Sequence, residues 1–170
     1  MMKNILMLFI LSSLLACNVP PSYSEVKPGA RLIIHQILTI DADSASIMLQ
    51  HGKVITASQL DPYLPRCWFI AQQLKPEAQA IIPGVFSIKQ VKQYDELVRR
   101  PASGYLLASM FSTLGLTAVD YMTEFELQSA QQTGITRLIC SHWEDPDDAE
   151  HLTAKQIKTA LGAYASIEMN

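Results

Sequence analysis

The densest run of residues able to bind a metal or move a proton is "CSHWEDPDDAEH", residues 140–151, which gathers Cys140, His142, Asp145, Asp147, Asp148 and His151. A zinc ion would need Cys140 as a free thiolate, and the spacing fits no Cys/His pattern of a structural zinc site. A calcium loop would alternate oxygen ligands around a central glycine, and none stands here. The residues favour a solvated acidic loop ahead of a helix. His35 falls in a strand-like run and His51 at a turn, both structural settings. Glu124 and Glu126 fall on the solvent side of an alternating strand, a setting that does not suggest a catalytic pair. Gly-x-Ser-x-Gly, His-Glu-x-x-His, P-loop and Cys-x-x-Cys motifs are all missing from the sequence, so it announces neither an activated nucleophile nor a phosphate cradle. No catalytic residue, cofactor or metal is expected, and the chain does not read as an enzyme.

Chemistry of another kind is expected at Cys17. One cation, Lys3, precedes an 11-residue run from Ile5 to Leu15 whose only polar members are Ser12 and Ser13. A membrane-spanning helix needs about 20 apolar residues, so this run is too short, and charge, apolar core and small-residue exit together match an export signal. A plain signal would end in a small-x-small site, but here Leu14-Leu15-Ala16 leads straight into Cys17. That stretch resembles the lipobox of bacterial lipoproteins. The resemblance covers the first 17 residues and implies cleavage after Ala16, a diacylglyceryl group on the Cys17 sulfur and acylation of the new amino terminus. Two or more acyl chains anchor firmly where one holds only marginally. Asn18 stands where that family's inner-membrane retention signal is typically Asp, which implies the periplasmic face of the outer membrane. The following "NVPPSYSEVKPG", residues 18–29, has three prolines and little to bury. It reads as an extended tether, with one domain over residues 30–170.

Removing Lys3 with the leader leaves twelve cationic and sixteen acidic side chains, a net charge of −4. Arg99-Arg100 is the only adjacent cationic pair. Nucleic acid is therefore not expected as a partner, and anionic-lipid recognition is disfavoured for the same lack of a clustered cationic footprint. With Cys17 acylated, Cys67 and Cys140 remain as an even pair in an oxidising compartment, where a disulfide is the expected state.

The elements that would carry these residues are mostly strands. "RLIIHQILTI" (31–40) reads as one strand, and "SASIMLQ" and "KVITAS" as two joined by a tight turn at His51-Gly52, since both residues tolerate positive φ. "CWFIAQQL" puts Cys67, Phe69 and Ala71 on one face, "KPEAQAIIPG" reads as a loop with a short apolar centre, and Val85 to about Tyr94 as a strand with Phe86 and Ile88 on one side. Tyr121, Thr123, Phe125 and Leu127 alternate with Met122, Glu124, Glu126 and Gln128, the pattern of a half-buried antiparallel strand. "ITRLICSHW" pairs Leu138 with Cys140 on one face, which predicts Cys67-Phe69 and Leu138-Cys140 in one core. Thr153 and Gln156 form a capping box, Ile157, Ala160 and Leu161 an apolar stripe, and Gly162 a stop, so one late helix is predicted before a last short strand at "ASIEM". The whole is a mainly β chain, an antiparallel sandwich or partly open barrel of about seven or eight strands with one short C-terminal helix. An immunoglobulin pattern is excluded, because Trp68 is adjacent to Cys67 instead of on the following strand.

Residues 101–119, "PASGYLLASMFSTLGLTAV", fit this scheme least. They read either as a connection whose Leu106, Leu107, Phe111 and Leu114 cover one end of the core, or as an exposed apolar flap that docks a protein. Leu49-Gln50-x-Gly52, Pro65-x-Cys67-x-Phe69 and Leu138-x-Cys140 resemble a group of small proteobacterial lipoproteins of uncharacterised function, which implies a disulfide-bearing β domain and no activity. The function expected is a membrane-anchored structural or interaction module, an accessory part of an envelope or secretion complex with a protein partner there. The alternative is a carrier of a small apolar ligand or lipid, with Trp68 or Trp143 near the pocket.

Overall fold

The computed structural model describes residues 24–99, 117–146 and 150–169. Among the described residues, ten strands and one α-helix follow in order: β1 (Arg31–Ile34), β2 (Leu38–Ile40), β3 (Ser46–Gln50), β4 (Lys53–Ile55), β5 (Arg66–Ala71), β6 (Gln79–Ile81), β7 (Gly84–Arg99), β8 (Thr117–Gln128), β9 (Ile135–Glu144), α1 (Ala154–Leu161) and β10 (Ala165–Glu168). Eight of them make one antiparallel sheet in the order β10-β1-β7-β8-β9-β5-β3-β4, curled into a half-barrel, and β2 pairs with β6 in a separate ribbon. Of the two mainly β architectures the sequence allowed, this is the partly open barrel.

Alternation decides which side of the curl is core. Phe125 and Leu127 on β8, Leu138 and Cys140 on β9, and Cys67, Phe69 and Ala71 on β5 all point inward and are buried. Phe69 pairs with Leu138 and Cys67 with Cys140 directly across β5 and β9, and the two sulfurs are bonded. The expected disulfide is thus a rung within one sheet, with Cα atoms 4.0 Å apart. On β7 the inward set changes parity: Phe86 and Ile88 are core, and a bulge at Lys89 makes Val91 the next residue against it.

The open side of the curl is closed by α1, whose Ile157, Ala160 and Leu161 are buried against β10, β5 and β3. Its N-terminus is held as the sequence predicts: the Gln156 backbone N–H donates to Thr153 Oγ1, and Gln156 Oε1 accepts from the Thr153 backbone N–H at 2.8 Å. Its C-terminus meets the β3–β4 turn, where His51 and Gly52 have φ 52° and 67° and the Gly52 N–H donates to the Ala160 carbonyl at 3.0 Å.

Three expectations are corrected. Residues 31–40 form two strands in different sheets: pairing of β1 ends at Ile34, the His35 N–H turns to the Tyr164 carbonyl, and Ile37 is exposed at the crossing. The apolar centre expected in a loop at 75–84 is β6, because Ile81 and Leu38 pair and bury each other. Residues 24–29, assigned to the tether, are held to the domain at three points while most of them stay exposed: Val26 is 1% exposed, the Gly29 N–H donates to Ile88 O, and Glu25 Oε2 accepts from the Ala154 N–H at the start of α1.

Candidate functional site

Where β5, β9 and β8 run side by side, both faces of the sheet carry polar residues. Arg66 and Gln50 are opposite each other, as are Arg66 and Ser141, and Asp120 and Trp143. Residues directly opposite share a face, so all five project from the convex side, away from the disulfide. Arg66 Nη2 contacts Asp120 Oδ2 at 2.5 Å, with side chains 6% and 12% exposed. The segment 61–64 covers this row, held by Gln50 Nε2 donating to the carbonyls of Asp61 (2.7 Å) and Leu64 (3.1 Å) and by Arg66 Nη1 donating to the Pro62 carbonyl at 2.7 Å. Arg66 also lies 5.8 Å from the Trp68 ring centre, and Tyr63 meets Trp143 edge-on. Burial pushes the Arg66 guanidinium below its usual pKa, and Asp120 pulls it back up. Asp120 Oδ1, Ser141 Oγ and Trp143 Nε1 are buried without hydrogen-bond partners.

On the concave face at the same end lie His142 and His151, two members of the 140–151 cluster. Both stand edge-on to the Tyr121 ring, at 6.4 and 5.6 Å. His142 Nε2 donates to the Glu150 carbonyl at 3.0 Å and lies 3.8 Å from Glu144 Oε2. Burial pushes His151 below its usual pKa; Asp95 opposes that, His142 adds to it, and a backbone hydrogen bond at Met122 opposes it. The Tyr121 phenol is raised by burial, then by Asp95 and Glu144.

Chemically this site is spare. Ser141 and His142 are successive strand residues and face opposite ways, so they make no nucleophile–base pair. Cys140 is spent in the disulfide, and among the described residues no three His, Cys, Asp or Glu side chains are placed to hold a metal ion. Asp147 and Asp148 lie outside the described residues, as do Cys17 and the segment residues Leu106, Leu107, Phe111 and Leu114. His35 is exposed with Nε2 2.8 Å from Ser166 Oγ. Glu124, expected on the solvent face, is only 12% exposed in its side chain and lies between Lys92 (3.8 Å) and Arg137 (3.6 Å), while Glu126 is exposed. Trp68 and Trp143 line neither of two cavities, one of about 320 Å³ between α1 and β10 and one of about 700 Å³ at the end of β8.

Sequence reasoning missed Arg66, Asp120 and Gln50. The available signal was a charge inside each of two apolar strands, "RCWFIA" and "TAVDYM", 54 residues apart; nothing local says that they meet.

No protein-family model, curated protein or solved structure matches the chain. Fold and site define a disulfide-bonded, mainly β half-barrel domain closed by one helix.

Proposed function

We propose that the chain is a lipid-anchored protein of the bacterial cell envelope, held at the periplasmic face of the outer membrane, whose half-barrel acts as a structural or interaction module in an envelope or secretion complex. The observation that carries the reading is the division of the three cysteines. Cys67 and Cys140 are bonded in the core, as suits a chain matured in an oxidising space. Cys17 is the one other cysteine of the sequence, placed at the end of an export-type leader with the residues of a lipobox before it. The polar row at Arg66 and Asp120 supports the reading of a module, since its buried side chains fix the segment 61–64 over the convex face.

Two measurements test this. Radiolabelled palmitate should enter the wild-type chain, and Cys17→Ser should abolish both labelling and membrane retention; a Cys17→Ser protein that stays membrane-bound and processed defeats the anchor. Affinity capture from crosslinked envelopes should return a reproducible protein partner, and repeated captures that share none defeat the module.

A further inference from the structure

We infer that the face built by α1 and β10 is turned toward the bilayer, with Lys155 and Lys158 against phospholipid phosphates; this rests on the lipid anchor proposed above. Three observations carry it. The first is reach. Val26 lines the 320 Å³ groove between α1 and β10 and is nine residues from Cys17, a span of at most about 30 Å even when fully extended. Whatever holds Cys17 at a membrane therefore keeps this face close to the headgroup layer.

The second is charge. The sequence has no cluster of adjacent cations here, but a helix brings residues three apart onto one face, and Lys155 and Lys158 are both exposed and both at the groove rim. Of the nearby acids, Glu168 is offset by Arg31 at 2.5 Å, and Glu25, which accepts the Ala154 N–H, leaves one negative charge against the two lysines. A domain of net charge −4 is repelled as a whole by an anionic surface, so the field orients it with its cationic face inward.

The third is the groove itself. Its floor rests on the buried core residues Ile157 and Leu161, and the apolar surface it offers is the half-buried Ile167 and Met169, which is 60% exposed. Apolar side chains flanked by lysines suit the headgroup–acyl boundary, where the lysine stems reach past apolar surface to a phosphate. Two lysines alone bind a membrane weakly, but the anchor makes the contact intramolecular, so a weak one suffices to set orientation.

The test uses the processed full-length protein in vesicles of phosphatidylethanolamine and phosphatidylglycerol, compared with the same protein in a neutral detergent. A membrane-impermeant amine-reactive reagent is applied and modification is read lysine by lysine by peptide mass spectrometry, with intact mass reporting the acyl groups. Lys155 and Lys158 should react about fivefold more slowly in vesicles, the scale of one basic residue at an anionic surface. Lys75 and Lys92, exposed elsewhere on the domain, should react at the same rate in both. An acylated protein whose four lysines respond alike overturns this inference and leaves the anchor standing. A protein without acyl groups overturns both.

Discussion

Arg66 and Asp120 carry opposite charges out of water, and the worth of that pair lies in what happens when it is broken. Removing one partner of a buried pair leaves the other desolvated and unpaired, a loss of about 3–5 kcal/mol, whereas replacing both by apolar residues of similar size is often neutral. Asp120→Ala should therefore lower the urea-unfolding free energy by about 3 kcal/mol, at the lower end because the Asp120 side chain keeps 12% exposure. The double change Arg66→Met with Asp120→Leu should cost less than either single one; a double variant as unstable as the sum would show that the pair does not act as a unit. His151 gives a second prediction at this scale. Its folded pKa lies below its ordinary value of about 6.5, so the unfolded chain takes up the proton first as pH falls. Its contribution is intact above the unfolded pKa, erodes as pH drops below it, and is lost once pH passes the folded value. Unfolding midpoints measured between pH 7.5 and 5 should fall on the acid side, and His151→Phe, which keeps a ring against Tyr121, should flatten part of that fall. An unchanged slope would show that His151 does not carry the acid sensitivity.

Between elements, the β3–β4 turn approaches the end of α1 closely. Both Gly52 and Gly162 have positive φ, and a Cβ at Gly52 would lie 2.9 Å from the Gly162 Cα. Gly162→Ala would drive its methyl into the Gly52 backbone in a conformation alanine resists. It should cost more than the roughly 1 kcal/mol of an ordinary helix-stop glycine, measured as a lower thermal midpoint, and Gly134→Ala, whose Cβ meets nothing within 4 Å, is the control. A Gly162→Ala protein as stable as that control would mean that the turn and helix separate freely. This contact also marks the limit of what the sequence carried. The His51-Gly52 turn, the Thr153–Gln156 cap and the Tyr121–Leu127 alternation were legible because each is decided by residues a few positions apart. The break at His35–Ile37, the β2–β6 pairing and the meeting of Arg66 with Asp120 were not, because each depends on partners tens of residues away. Periodicity says that Leu38 and Ile40 are buried; it does not say in which sheet.

For the molecule as a whole, the sheet does not close on itself: β4 and β10 end it, and α1 and the β2–β6 ribbon cover the concave side. Such an open curl keeps its middle strands together only if β5 stays beside β9, although β6, β7 and β8 lie between them in the chain. The Cys67–Cys140 bond sits on that seam and spans 73 residues. Closing a loop of that size in the unfolded chain is worth roughly 4 kcal/mol at most, since native strain erodes the figure, a large share of the 5–15 kcal/mol that holds a typical domain folded. The double variant Cys67→Ala, Cys140→Ala should unfold at a urea concentration lower by about 2 M, taking a slope near 2 kcal/mol per M for a domain of this size. Part of that drop comes from the cavity left in the core, so Cys67→Ser with Cys140→Ser is a poor substitute; chemical reduction of the wild type, which keeps both sulfurs in place, isolates the loop term. If the reduced protein unfolds within about 0.5 M of the oxidised one, the unfolded chain is already compact across the seam and the bond is not what keeps the half-barrel from opening there.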